Sequence, residues 1–357
     1  MRAVLVEPDY YTRYPPVGLL KISTYHKSQG DQVEFVQVRI DGLRKPRERP
    51  DRVYVTSLFT WAWKPVWKAV RFYKKRFPKA EVWLGGLYSS LMPDHASRSG
   101  ADVVYEGVFK EAEEAIPDYE LVPSWDGSII FSSRGCNRAC PFCAVPRLEG
   151  KINSTKRSLK HLVYTKHTRI ILWDNNFLQS PYWKEICHEL KELNRWVDFN
   201  QGLDARLITD DVAKHLASLK LRSGSSIEIR LSYDELEAGQ ATQNAIACLE
   251  ATGLRKRAIM VYILYNFKDS PEDFFQRVRD VLNWGAVAYP MRYEPLNALE
   301  KNQYVELSWT SQELEMIQDA RRVLGYGGAF PPYRGLVNKF NRARNFHRAF
   351  SLYQPRR

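Results

Sequence analysis

Ser133-Arg134-Gly135-Cys136-Asn137-Arg138-Ala139-Cys140-Pro141-Phe142-Cys143 is the stretch whose reading decides the rest, and it holds three of the chain's five cysteines at the spacing C-x3-C-x2-C. Thiolates are soft ligands that suit iron–sulfur clusters, zinc or copper(I). A closed zinc site takes four ligands, usually from two separated pairs, and no second C-x2-C or H-x3-H pair is present. The structural alternative is a zinc or iron site completed by Cys187 or a histidine. A cubic 4Fe–4S cluster held by Cys136, Cys140 and Cys143 would instead keep one iron without a protein ligand, and chemistry is expected at that open position.

The loop, with Phe142 just before its last cysteine, resembles that of the radical SAM superfamily. The resemblance implies that the three cysteines hold a 4Fe–4S cluster whose open iron chelates S-adenosylmethionine. An electron from a donor such as a flavodoxin or ferredoxin then cleaves the sulfonium to a 5′-deoxyadenosyl radical, which abstracts hydrogen from a substrate. The cofactor carries the hard chemistry, and the protein supplies position and exclusion of water. Phe142 is expected beside the adenine, with a loop residue packed on the scaffold as the alternative. Asp174, Asn175 and Asn176 stand where the family positions the methionine amino group, although Asp-Asn-Asn also simply makes turns. Gln201, Arg206, Arg230 and Ser232 fall where the family binds the ribose hydroxyls and the carboxylate. Arg230 lies in an alternating strand and must face inward or toward a partner, since an unpaired buried guanidinium is costly. Arg230-Leu231-Ser232-Tyr233-Asp234 departs from the Gly-x-Glu-Ser of many relatives.

Outward from the loop, Ile129–Ser132 reads as the strand that delivers it. Further strands are expected over Arg169–Trp173, Trp196–Phe199, Ser226–Leu231, Ala258–Leu264 and Ala286–Met291, alternating with helices over Ser158–Lys166, Pro181–Leu193, Thr209–Leu219, Ala241–Ala251 and from Ser270. Six such units predict a partial (β/α)6 TIM-type barrel over residues 122–300, with polar site residues at the strands' carboxyl ends. Residues 1–121 also alternate strand and helix, which predicts a Rossmann-like doubly wound sheet. Ser57 and Gly85-Gly86 fall at its binding edge, although paired glycines also make tight turns. Pro15–Leu20, Ser57, Gly85–Ser89 and Asp102–Gly107 resemble the cobalamin-binding-type domain that precedes the radical domain in one branch of the superfamily. That domain's D-x-H-x-x-G is replaced by Asp9-Tyr10-Tyr11-Thr12-Arg13. Either cobalamin binds without a protein ligand, or the domain shapes the substrate site.

Residues 301–357 read as a short basic helical region. Its cations (Lys339, Arg342, Arg344, Arg348, Arg356, Arg357) alternate with Phe340, Phe346, Phe350 and Tyr353, which fits a docked amphipathic helix or an RNA contact. Gly325–Gly328 before it reads as a hinge. Apolar and charged fractions of 44% and 26% are those of a globular protein. No signal peptide or membrane-length apolar run is read, so the expected location is the cytoplasm. A formal charge of +12 favours an anionic partner such as RNA. Three readings follow: a radical methyltransferase using cobalamin, a cobalamin-free RNA-modifying radical enzyme, or a non-catalytic iron–sulfur protein that binds nucleic acid or senses.

Overall fold

The computed structural model describes residues 1–221, 228–326 and 332–351. Its strands pair in parallel throughout. The first sheet holds β1 (Arg2–Glu7), β2 (Gln32–Gln37), β3 (Arg52–Ser57), β4 (Glu81–Gly86) and β5 (Val103–Val104) in the order β2-β1-β3-β4-β5. That order is one of the two common doubly wound arrangements. The apolar runs follow from burial on both faces. Val4, Val6, Val53 and Val55 pack against Val66, Ala69, Val70 and Tyr73 of the helix Trp63–Arg76, and Ala3, Leu5 and Tyr54 pack with Leu19 on the other side.

Six more strands form two three-stranded sheets: β6 (Ser128–Ile130), β7 (Arg169–Leu172) and β8 (Trp196–Phe199), then β9 (Ile229–Ser232), β10 (Ile259–Tyr265) and β11 (Val287–Arg292). A parallel bridge between Leu203 and Leu231 joins them. On one face Leu172, Phe199, Leu231 and Val261 build a core with the intervening helices. Those helices begin where their caps require. Thr209 accepts from the Val212 amide, and Ser270 forms a reciprocal capping box with Asp273. On the other face, Ile129 and Ile171 are covered by Val17 and Tyr14 of the first unit, and Tyr14 accepts a hydrogen bond from the Asn200 amide.

Lys110–Ala112 forms a single turn, and the expected helix Ser158–Lys166 shrinks to another, Lys160–Leu162. In the second, the run Val163-Tyr164-Thr165 is poor in helix formers. Its backbone finds lateral partners instead, with the Leu159 amide on the Glu189 carboxylate at 2.5 Å and the Tyr164 amide on Ser128 Oγ at 2.9 Å. Residues 226–227 of the expected fourth strand, Gly327-Gly328, Tyr353, Arg356 and Arg357 lie outside the described residues.

The C-terminal helices Tyr333–Arg342 and Phe346–Phe350 dock rather than project. Leu336, Phe340, Phe346 and Phe350 enter the same core as β6–β11, while Arg342, Arg344 and Arg348 stay exposed. Phe346 stacks on Phe350 at 4.6 Å and meets Trp309 edge-on at 5.9 Å. Arg277 lies on the buried face of the helix Pro271–Asn283, only 1% exposed. It donates to the carbonyls of Asp234 at 2.9 Å and Leu264 at 2.7 Å and pairs with Asp269, tying together the ends of β9 and β10.

Two stability outcomes follow. Phe346→Ala should cost about 3–5 kcal/mol in urea unfolding, the range for a buried aromatic. Arg277→Met should cost about 3–5 kcal/mol, because it strands the buried Asp269 carboxylate. A change within experimental scatter for either variant would mean that the contact is not part of the folded core.

Candidate active site

A cleft of about 910 Å³ opens at the carboxyl ends of β6–β10, and Cys136, Cys140 and Cys143 line it. The loop that carries them leaves β6 and is fixed by its own backbone. Arg134 and Asn153 form an antiparallel bridge, and the Cys136 amide donates to Gly150 O at 3.0 Å. At Gly135 φ is +75°, and a Cβ there would stand 2.1 Å from Lys151 O, so only glycine fits. Glu149 gathers the turn, accepting from the Gly135 amide at 3.1 Å and from Asn175 Nδ2 at 2.7 Å. Arg134 bridges Glu149 and Glu113 and lies over the Phe131 ring at 3.5 Å.

Each cysteine sulfur has a donor of the chain at hydrogen-bonding range. Cys136 Sγ faces the Arg138 amide at 3.4 Å and Asn176 Nδ2 at 3.6 Å, Cys140 Sγ faces Arg138 Nε at 3.5 Å, and Cys143 Sγ faces the Val145 amide at 3.5 Å. Such bonds stabilise thiolate over thiol and raise the potential of a cluster. Burial pushes the Cys143 thiol up. Among the described residues, no three His, Cys, Asp or Glu side chains converge as they would around a single ion. A cubane binds each cysteine at a different iron, so its requirement is three thiols along one cleft. Cys187 sits in the core, its thiol pushed up to about 12 by burial, and does not line the cleft.

Phe142, Asn175, Asn176, Gln201, Arg206 and Ser232 line the same cleft as the cysteines. Phe142 meets Phe267 edge-on at 5.5 Å. Phe267 too stands on the cleft wall. Asn176 is 5% exposed and donates to Asp204 at 3.3 Å, while its Oδ1 is buried without a hydrogen-bond partner. A buried acceptor left unsatisfied costs about 1–3 kcal/mol, which a ligand donor in the cleft would recover. The three thiols and the donors on their sulfurs, beside Asn176, are the part of the cleft whose chemistry suits a cluster.

Other expected site residues are placed elsewhere. Asp174 is wholly buried and spends its carboxylate on the fold, accepting from the Ser132 amide at 3.1 Å, the Ser133 amide at 2.7 Å and both serine hydroxyls. Burial pushes its carboxyl up against those bonds. Arg230 does face inward, but it pairs with Asp198 below the cleft and does not line it. Ser57 Oγ donates to Gly85 O at 2.8 Å and accepts from the Ser89 amide at 3.3 Å. Gly86 has φ +109°, and a Cβ there would come within 2.2 Å of Ser57 O. These three residues therefore close the ends of β3 and β4 on each other, and Ser57 is occupied within the fold. For cobalamin the fit is poor at this edge: the loop after β1 has no histidine, and Tyr10 is partly buried within it, its phenol pushed up chiefly by desolvation.

Asp204, Glu235, Tyr262 and Arg277 are among the cleft residues that the sequence reading did not single out. Asp204 accepts from Arg206 Nε at 2.8 Å, and Glu235 lies 3.8 Å from Arg138 and 4.0 Å from Arg206. Tyr262 and Arg277 complete the wall. Asp204 follows a strand end by a few residues, which is a weak signal, whereas Arg277 on the apolar face Phe274-Arg277-Val278-Val281 is a legible one.

No family model matches the chain. It is 29% identical over 148 residues to ribosomal protein uS12 methylthiotransferase RimO of Sphingopyxis alaskensis, covering 36% of this chain and 30% of that protein. It is 25% identical over 179 residues to the RimO of Thermosipho melanesiensis, covering 46% and 40%. Bacteriochlorophyllide d C-12(1)-methyltransferase of Chlorobaculum tepidum is 21% identical over 268 residues, covering 59% and 56%. The matches thus span between 30% and 56% of these curated relatives. In fold, the chain is similar to the radical S-adenosylmethionine methyltransferase TsrM of Kitasatospora setae, solved with tryptophan substrate and a SAM analogue. The TM-score is 0.58 at 14% identity, over 83% of this chain and 75% of that one. The chain is thus similar in fold to a radical S-adenosylmethionine methyltransferase and in part of its sequence to methylthiotransferases and a methyltransferase, and its cysteine motif resembles that of the radical SAM superfamily.

Proposed function

We propose that this chain is an enzyme that holds a 4Fe–4S cluster on Cys136, Cys140 and Cys143, binds S-adenosylmethionine in the adjoining cleft, and transfers a methyl or related group to a substrate. The observation that carries the reading is the meeting of three thiols, each with a hydrogen-bond donor at its sulfur, with Asn176 and Arg206 in one cleft. The names of the relatives, methylthiotransferase and methyltransferase, support the class of group transferred. We divide the chain accordingly into residues 1–121, a partial (β/α)6 barrel over 122–300, and 301–357.

The cluster, when bound, supplies the electron that cleaves the sulfonium of S-adenosylmethionine reductively. The chain's own residues do the rest. Asn176 stands at the cleft wall beside the thiols as a group to meet an ammonium, its amide nitrogen held by Asp204. Arg206 and Arg138 offer positive charge to a carboxylate, with Glu235 limiting how far either can swing. Phe142 and Phe267 form an apolar wall where a purine can lie and water is excluded. A flavodoxin- or ferredoxin-type donor would reduce the site, which calls for a reducing compartment such as the cytoplasm. Among the described residues no helix is long and apolar enough to cross a membrane. Ser57, Gly85 and Gly86 are used in packing, so cobalamin has no part in this proposal.

Anaerobic reconstitution followed by dithionite and S-adenosylmethionine should yield 5′-deoxyadenosine, and Cys140→Ala should abolish it along with most of the bound iron. Retention of zinc in the air-free protein, or iron with no deoxyadenosine, would sink the reading. Asn176→Ala should keep its iron content but lose roughly tenfold to a hundredfold in S-adenosylmethionine affinity, the worth of a hydrogen bond to a charged group. Unchanged affinity by calorimetry would remove Asn176 from the ligand site.

A further inference from the structure

The surplus positive charge of this chain is concentrated in one place. Between Val38 and Ala80 there are thirteen Lys and Arg against three Asp and Glu, a net of +10 within a chain total of +12. The structure brings these residues together. The helix Trp63–Arg76 contains no acidic residue, and Lys64, Lys68, Arg71 and Lys75 recur along its exposed face. At 1.5 Å per residue this row is about 16 Å long. The loop with Arg47 and Arg49 borders its far end, held there by Tyr73 Oη donating to Arg44 O at 3.1 Å. Lys74 pairs with Asp102, and Arg44 and Arg52 pair with Glu34 and Glu81. Among the described residues, Lys64, Lys68, Arg71 and Lys75 have no carboxylate partner.

We propose that this helix face binds the phosphate backbone of a nucleic acid. A straight row of unpaired cations matches a polyanion, and binding would release the counterions that now screen it. Val66, Ala69, Val70 and Tyr73 of the same helix are buried against the sheet, so the exposed face offers no apolar wedge of the kind a membrane-surface helix inserts. Aromatic rings lie beneath two of the cations, Trp67 under Arg71 at 4.9 Å and Trp63 under Lys64 at 5.6 Å, which limits their freedom before binding. The row also leads somewhere. The turn before the helix donates from Thr60 Oγ1 to Ala298 O at 2.6 Å, and Lys301 lies over Trp61 at 5.7 Å. Ala298 and Lys301 follow β11, so the row starts on the side of the molecule where the strands' carboxyl ends open. The docked C-terminal helices, whose arginines are also exposed, lie outside this row.

The test needs neither cluster nor S-adenosylmethionine, so its failure is distinct from failure of the radical reading. Fluorescence anisotropy of the full chain with labelled single-stranded RNA, and with DNA of the same sequence, is followed against salt. K64Q/K68Q/R71Q/K75Q should bind at least about tenfold more weakly at low salt, and the slope of log affinity against log salt should fall in magnitude by about 3, at roughly 0.7 per lost phosphate contact. Glutamine keeps helix propensity, and matching circular dichroism checks the fold. K64R/K68R/K75R keeps the charge and should keep the slope. R342Q/R344Q/R348Q should bind as the parent does. Preference for RNA names RNA as the ligand, and equal binding supports a backbone contact indifferent to the sugar. An unchanged slope in the helix variant, an equal loss in the tail variant, or tighter binding to phosphatidylserine vesicles than to either nucleic acid would overturn the proposal.

Discussion

The close passage of Gly135 over Lys151 is the constraint on which the cleft depends. A cluster ligand set works only if its thiols arrive with little freedom, and loops are the least rigid places to build one. Here the returning segment crosses the outgoing one at van der Waals limits, a position that no Cβ can occupy. The two backbone bonds between Arg134 and Asn153, at 2.9 and 2.8 Å, and that from Cys136 to Gly150 make the loop a short hairpin rather than a free strap. Glu149 then ties the hairpin to the end of β7 through Asn175. The thiols are thereby referenced to the strand ends that carry the rest of the cleft.

The same logic separates Asp174, Asn175 and Asn176 beyond the end of β7. Asp174, the one with charge, is turned under the loop to satisfy four donors of Ser132 and Ser133. Such a carboxylate is locked, and replacing it would strand several buried donors at once. Asn175 fixes the hairpin. Asn176 keeps a buried oxygen without a hydrogen-bond partner. A division of labour therefore runs through a single turn: the acid builds, the first amide braces, and the second faces the cleft.

Much of this was legible in the letters. The strand pattern from Arg169 to Met291 gave the right elements because β-runs buried on one face by helices keep their apolar period, and Thr209 and Ser270 marked their helix starts. The cysteine spacing pointed to the loop, and most polar residues at strand ends do line the cleft. What the sequence hid were pairings. Arg230 reads as a ligand group until Asp198, on the neighbouring strand, is seen beside it. Ser57 and Gly86 read as a ligand edge until they are found packed on each other. The Ser158–Lys166 segment reads as a helix until Glu189 takes its first amide. Each of these depends on a partner tens of residues away, which local pattern does not encode.

The first unit also has a different relation to the cleft than a separate cofactor module would. Tyr14 meets Trp173 at 5.2 Å and accepts from Asn200, both at strand ends beneath the cleft. Val17 closes over Ile129 and Ile171. Burial and the nearby Asp198 push the Tyr14 phenol up, so it stays protonated and able to donate as well as accept. Arg147 of the cysteine loop reaches back to Leu91 O at 2.7 Å. The unit is thus a wall of the chamber, tied to the strands on one side and to the cysteine loop on the other. A wall with that many attachments has reason to be retained for packing alone, and its outer face is then free to carry the charge that the inner face cannot accommodate.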